Sequence, residues 1–409
     1  MPEAAARRRQ LVPFAALSAS YFAHIGFFNP YLPLWLQDLG FSILAISLLT
    51  SVQAATRLFA PYGWGALSDH TGERVKLLRY GATVALISSL GLWLDFESTY
   101  GVWWLTAVLL VMFTHTSSMM PMSEAAMAHL ISQGGAFDAR RYGRVRLWGS
   151  LGFLFTVFAA GSWFELFGMK HFPAWTFLSL LAVTVSVWLL PDLKEAVSAH
   201  DVKLPVWPIL RQRAVLWFFA SAFFHVLAHI SIYVFFSLYL DANGYSKTMI
   251  GVLWAFSVVV EIGWFYTQGR WLPRLSLTAW LMVCSAAMAL RMGITAVWPG
   301  VLLLMLFAQA LHALTFATHH TVCIALLSHH FPGRLRGRGQ ALYVVVAYGL
   351  PGVLGGLVGG LLSSAFGLVS VYWACLAASL VATACAYRAW RVQRSLDGLN
   401  PSPTGRGQG

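Results

Sequence analysis

Charge is what this chain has least of: Asp, Glu, Lys and Arg together make up 10% of its 409 residues, where a soluble domain carries about 25%. With 58% of the residues hydrophobic, too few polar side chains remain to clothe a water-solvated globule, which excludes a soluble enzyme. Acids are scarcer than bases, 15 against 27. Cysteine is scarce too, and Cys284, Cys323, Cys375 and Cys385 all fall inside apolar runs, which excludes a disulfide framework and makes them small buried hydrophobes. No phosphate-cradling P-loop is present, so nucleotide drive is not expected. No acid or Cys completes a metal-ligand spacing around the histidines, and no nucleophile and base stand together, so neither metal, cofactor nor enzymatic activity is expected.

What the chain has is long apolar runs, six before residue 190 and six between 214 and 390, each closed by Gly, Pro, Ser or charge clusters. Each is near the roughly 20 residues that a hydrocarbon core of about 30 Å demands. The spacing predicts an all-α membrane protein with twelve transmembrane helices in two six-helix bundles, residues 1–190 and 214–390. The polar stretch 191–213 is read as a linker and 391–409 as a tail. Arg7, Arg8 and Arg9 precede a first run too long for a signal peptide, which is therefore read as a retained span. Of the 27 Lys and Arg, all but Lys170, Lys247, Arg57 and Arg291 fall in tails and loops on one side. The positive-inside rule then places both termini in the cytoplasm and explains the formal charge of +12 without nucleic acid. The bilayer is the expected partner, and a monomer the expected state.

The two halves repeat at an offset of 204. Leu34-Trp35-Leu36 with Gly40-Phe41-Ser42 matches Leu238-Tyr239-Leu240 with Gly244-Tyr245-Ser246, each a helix end, a Gly cap and a Ser start. The same offset maps Gly65 onto Gly269 and Arg57 onto Glu261. Parallel six-helix repeats with a site between them are a transporter architecture.

Only Glu124 and Glu261 among the acids sit well inside spans, with Arg57 and Arg291 as the intramembrane bases. A charge at mid-membrane costs about 2.5–3.5 kcal/mol on insertion scales, so such residues face a cavity or each other. Glu261, in Val258-Val259-Val260-Glu261-Ile262-Gly263, is a candidate proton carrier; the alternative is a permanent ion pair between helices. Glu124 lies nearer the end of its span, where Arg146 begins the next, and a pair in a cavity mouth is expected. Arg57 either holds an anionic solute in its fork of donors or neutralises a buried acid. Arg291 either joins the interior chemistry or snorkels to the interface. Seven of 13 histidines lie in spans; His312 and His320, eight apart, share a helix face, as do His225 and His229. The ladder Gly352, Gly356, Gly360 in the eleventh run is read as close helix packing.

Gly65-Ala66-Leu67-Ser68-Asp69-His70-Thr71-Gly72-Glu73-Arg74 resembles the signature loop of the major facilitator superfamily, matching at Gly65, Asp69, Gly72 and Arg74; His70 and Glu73 stand where the family has basic residues. Tyr142-Gly143-Arg144-Val145-Arg146-Leu147-Trp148-Gly149-Ser150 is similar to the start of helix 5 in proton-coupled permeases of the lactose, nucleoside and phenylpropionate branches. Arg57, Gly244-Tyr245-Ser246, Val260-Glu261, Leu290-Arg291-Met292-Gly293, and His312 with Thr315-Phe316 and His320 resemble the phenylpropionate branch most.

The resemblance implies a major facilitator fold in a bacterial inner membrane and proton-coupled import of a small organic solute, with an aromatic carboxylate such as 3-phenylpropionate first in line. It implies that Glu261, Arg291, His312 and His320 couple protons. Arg57, Glu124, Arg146 and His229 are the expected solute contacts, and Gly65, Asp69, Gly72 and Arg74 the expected conformational loop. The lactose branch has a further carboxylate shortly after the helix 10 His, where this chain has only Ala313 to Thr318, so the proton site cannot be carried over unchanged. Sugar or nucleoside symport and drug/proton antiport stay open as alternatives.

Overall fold

The computed structural model describes residues 2–94, 99–132, 139–192, 207–332 and 335–399. Among the described residues, twelve helical stretches are long and apolar enough to cross a membrane. They are α1 Leu11–Asp38, α2 Ile43–Ser68, α3 Arg74–Trp93, α4 Tyr100–Glu124, α5 Val145–Phe167, α6 Met169–Trp188, α7 Arg213–Ala242, α8 Lys247–Arg274, α9 Leu277–Val297, α10 Leu302–His330, α11 Arg338–Phe366 and α12 Val369–Ser395. Among the described residues there is no strand. With no water to satisfy backbone groups in a bilayer, continuous helices are the form these apolar runs must take.

The repeat visible in the sequence is a structural repeat. Gly40 and Gly244 end α1 and α7 with φ of +82° and +83°, left-handed values that a side chain would strain. The next residue closes the motif in both halves: Phe41 N–H donates to Leu36 O and Tyr245 N–H to Leu240 O, both at 3.1 Å. Ser42 and Ser246 then cap α2 and α8, accepting from Ala45 N–H at 3.3 Å and Met249 N–H at 3.2 Å. A further pair, Gly168 before α6 and Gly367 before α12, shares φ values of +82° and +81°.

Within the first bundle α1 packs on α5 and α6, and α3 on α4 and α6; within the second α12 packs on α7 and α9. Besides the contact of α1 with α7, the bundles meet along two glycine-lined seams. In one, Gly352, Gly356 and Gly360 of α11 lie against Ala54, Ser51 and Ser47 of α2, so the glycine ladder is indeed a packing surface. In the other, a side chain at Gly161 of α5 would strike Lys247 O at 2.6 Å, and one at Gly251 of α8 would strike Val157 O at 2.7 Å. Tyr31 Oη of α1 lies 2.9 Å from Val157 O and 3.2 Å from Lys247 O, and its one proton serves both carbonyls. Glu165 Oε2 accepts from Lys247 N–H at 2.6 Å. These contacts gather at the end of the molecule remote from the termini. Towards the termini end, Gly263 and Gly269 of α8 have open space beside them, and Tyr266 is almost fully exposed. The bundles are joined at the far end through Tyr31, Glu165 and Lys247, and towards the termini end Tyr62 Oη of α2 donates to Ala341 O of α11 at 2.7 Å.

Residues 193–206, most of the expected linker, lie outside the described residues, as do 400–409 of the tail. The last helix continues through Leu399, past the expected start of the tail at 391. Arg79 ties α3 to the end of the first bundle, donating to Asp192 Oδ1 and Leu190 O, each at 2.7 Å.

Candidate functional site

Three helices that the sequence presents as continuous runs are irregular near mid-membrane. The fourth run is interrupted, helix Thr99–Thr116 giving way to helix Met119–Ser132 across Ser117 and Ser118. Carbonyls at this break find side-chain donors: Trp64 Nε1 donates to Thr114 O at 2.9 Å and Tyr21 Oη to Thr116 O at 3.2 Å. In α10 and α11, π-helical turns occupy Ala313–Thr318 and Val344–Gly349. Such turns cluster at functional sites because the widened turn re-aims side chains. No hydropathy pattern reports them, and they are what sequence reading missed.

Glu261, Arg291 and His312 come together. Arg291 does not snorkel: it is 1% exposed and spends its donors inside the bundle. Its Nη2 donates to Gln309 Oε1 at 2.8 Å, its Nη1 to Thr315 Oγ1 at 2.9 Å, and Nη1 also lies 3.3 Å from His312 Nδ1. A guanidinium can only donate, so His312 Nδ1 is the acceptor and its Nε2 carries the proton. That Nε2–H faces Glu261 Oε2 at 3.2 Å. The chain Arg291, His312, Glu261 thus runs from a sealed core to a carboxylate whose side chain keeps 19% exposure. Gln309 has a role here that sequence reading did not give it; a lone amide in an apolar run was the available signal.

His320 does not join this chain by hydrogen bonds. Phe316 lies between the two rings, 4.9 Å from His312 and 6.4 Å from His320. After the widened turn it is His319 that faces inward, its ring stacked 3.6 Å from His225, while His320 is exposed. His229 is 4% exposed, 3.3 Å from Tyr233 Oη through Nε2 and stacked beside His312 and Phe316.

In the first bundle Arg146 Nε lies 3.5 Å from Glu124 Oε1, both side chains more than a third exposed, and the guanidinium sits 4.1 Å over the Phe22 ring. The expected pairing of Glu124 with Arg146 is present. Arg57 differs from the other interior bases. It makes no ion pair or hydrogen bond with any described residue. It lines a pocket with Tyr21, Phe28, Gln53, Phe113 and Ser117.

At the signature loop Gly72 caps the α2 helix with φ +67°, its N–H donating to Ser68 O at 2.8 Å, and Arg74 Nε donates to Ser68 Oγ at 3.0 Å. Gly65 is helical with open space beside it. The side chain of Asp69 lies outside the described residues. Among the described residues no group of His, Cys, Asp and Glu is arranged to hold a metal.

The sequence profile of the MFS_1 like family matches residues 16–374. The chain belongs to that family. It is therefore a multi-pass membrane transporter of the major facilitator type. Over 338 residues it is 25% identical to a probable 3-phenylpropionic acid transporter of Escherichia coli K12, covering 81% of this chain and 85% of the relative. Over 358 residues it is 26% identical to a maltose permease of Geobacillus stearothermophilus, covering 86% and 87%. The crystal structure of the nucleoside transporter NupG superposes with a TM-score of 0.79 at 14% identity, covering 93% of this chain and 99% of that one. That likeness concerns the fold.

Proposed function

We propose that this transporter imports a small aromatic carboxylate, of the 3-phenylpropionate kind, together with protons across a bacterial inner membrane, with both termini in the cytoplasm. The observation that carries the reading is Arg57. Arg146 is engaged by Glu124 and Arg291 by Gln309 and Thr315, whereas Arg57 is an interior cation with no partner among the described residues. Such a charge is costly to keep at mid-membrane unless a ligand answers it, and guanidinium offers a fork matched to a carboxylate. A neutral sugar has no use for it. The name of the Escherichia coli relative points the same way.

Glu261 takes the proton. His312 holds one carboxylate oxygen through Nε2–H, which leaves the other to accept a proton. Protonation removes a mid-membrane charge, and a bound carboxylate neutralises Arg57; both favour the conformation in which the bundles close over the centre. A ligand shifts such an equilibrium only by its differential affinity for the two states, so the two events reinforce each other. The loop at Gly65, Asp69, Gly72 and Arg74 serves the same rocking motion by fixing the α2–α3 corner.

Binding of 3-phenylpropionate and of its neutral amide to the purified protein tests the anion site. The acid binds wild type well above the amide, and Arg57→Gln lowers the acid to the level of the amide. Equal binding of acid and amide by wild type rules the anion site out, and a screen of maltose and nucleosides then becomes the better guide.

A further inference from the structure

We infer that the outer face of α12, at the termini end of the second bundle, is a seat for an anionic phospholipid headgroup, formed by Arg388, Arg391 and Arg394 over Tyr387 and Trp390. This surface lies on the outside of the molecule, away from the solute path. An α-helix turns about 100° per residue. Ala382, Cys385, Ala386 and Ala389 are buried and mark the side of α12 that packs on α7 and α9. Trp373, Leu380, Tyr387 and Arg394 follow one another at seven-residue steps on the opposite side, and the first three are exposed; in a bilayer that stripe meets lipid. All three arginines are exposed and continue it. A hydrocarbon core of about 30 Å takes roughly 20 residues of helix, which from Val369 ends near Tyr387. Tyr and Trp anchor at that interface, and the arginines beyond them stand at headgroup depth.

No described carboxylate answers these cations. In the first bundle Arg79 is met by Asp192 and Lys76 by Glu73, each at 2.7 Å. In the second, the acids with described side chains are Asp241 at the far end and Glu261, engaged by His312 near mid-membrane; the side chain of Asp397 lies outside the described residues. Arg388, Arg391 and Arg394 make no ion pair or hydrogen bond with a described residue. Aromatic rings hold two of them instead: the Arg394 guanidinium lies 4.8 Å from the Trp390 ring centre and that of Arg391 6.0 Å from Tyr387. A ring occupies the flat face of a guanidinium and leaves its in-plane N–H donors free, the edge that pairs with a phosphate. The same pairing recurs beside α7 and α9, where Arg211 lies over Trp207 and Arg274 over Trp271. Such a face fits a lipid phosphate and selects an anionic lipid over a zwitterionic one, whose cationic group the arginines repel.

The test is native mass spectrometry of the purified full chain in a non-ionic detergent, titrated with dioleoylphosphatidylglycerol or dioleoylphosphatidylcholine. Wild type is compared with the triple variant Arg388→Gln, Arg391→Gln, Arg394→Gln, with melting temperature as the folding control. Wild type is expected to prefer phosphatidylglycerol. One arginine near an anionic surface is worth roughly fivefold in affinity, so the triple variant is expected to lose about a hundredfold for phosphatidylglycerol. Its phosphatidylcholine binding and melting temperature stay unchanged, because these exposed side chains have no hydrogen bond to lose. If the triple variant fails to fold, Arg391→Gln decides alone, with a loss of about fivefold. Excess inorganic phosphate is expected to leave the lipid in place; displacement by it makes this a site for a free anion and overturns the lipid seat. Equal binding of the two lipids by wild type, or a preference that survives intact in a folded variant, overturns it as well.

Discussion

Arg291 and Arg57 show how differently one residue type is used in the same membrane. Arg291 has its donors met in a dry core by Gln309, Thr315 and His312, and removing it strands those groups. Arg291→Ala is expected to destabilise the protein by about 3–5 kcal/mol, the range for breaking a buried charged network, read as a fall in detergent melting temperature. Arg57, without such partners, is expected to tolerate Gln with little change in melting temperature while anion affinity falls; a large loss of stability in Arg57→Gln instead gives it a structural role. Glu261→Gln mimics the protonated carboxyl and can still accept from His312 Nε2–H. It is expected to keep exchange of solute across the membrane and to lose accumulation driven by a pH gradient. Accumulation by that variant removes Glu261 as the coupling group. These charges were legible in the sequence because a membrane span makes each ionisable residue conspicuous. Their pairing was not, since whether Arg291 reaches the interface or the core depends on helix rotation, which spacing alone does not set.

At the scale of elements, local backbone chemistry was read well where one residue decides it. Gly40 and Gly244 sit at left-handed caps and Ser42 and Ser246 at helix starts, each dictated by steric or hydrogen-bond needs of a few atoms. The break at Ser117–Ser118 and the π turns of α10 and α11 escaped, because the hydropathy averaged over a whole span stays high across them and periodicity carries no mark of one inserted residue. That inserted residue is why His319, rather than His320, stacks on His225. The seam between α5 and α8 makes its own forecast. Gly161→Leu would drive a side chain into Tyr31 Oη and Lys247 O, wedging apart the far end. Labelling of Asn29→Cys by a membrane-impermeant thiol reagent from the far side is expected to rise in the Gly161→Leu background. Unchanged labelling with wild-type transport says that this seam is not a gate.

For the whole molecule, composition alone fixed the class: few charges, twelve apolar runs and basic residues gathered on one side leave little but a polytopic membrane protein. The repeat at 204 residues foreshadowed two bundles, and the profile match over residues 16–374 gives the family. How the bundles are joined, at Tyr31, Glu165 and Lys247, could not be read from sequence, because one chain must support both states of an alternating-access cycle. Such a cycle moves solute uphill only if proton and solute bias the same rocking motion. The most direct measurement is uptake of labelled 3-phenylpropionate into proteoliposomes, with and without an inward-directed proton gradient. Accumulation above equilibrium that collapses when the gradient is dissipated is the expected result; uptake absent, or indifferent to the gradient, contradicts proton-coupled import of an aromatic carboxylate.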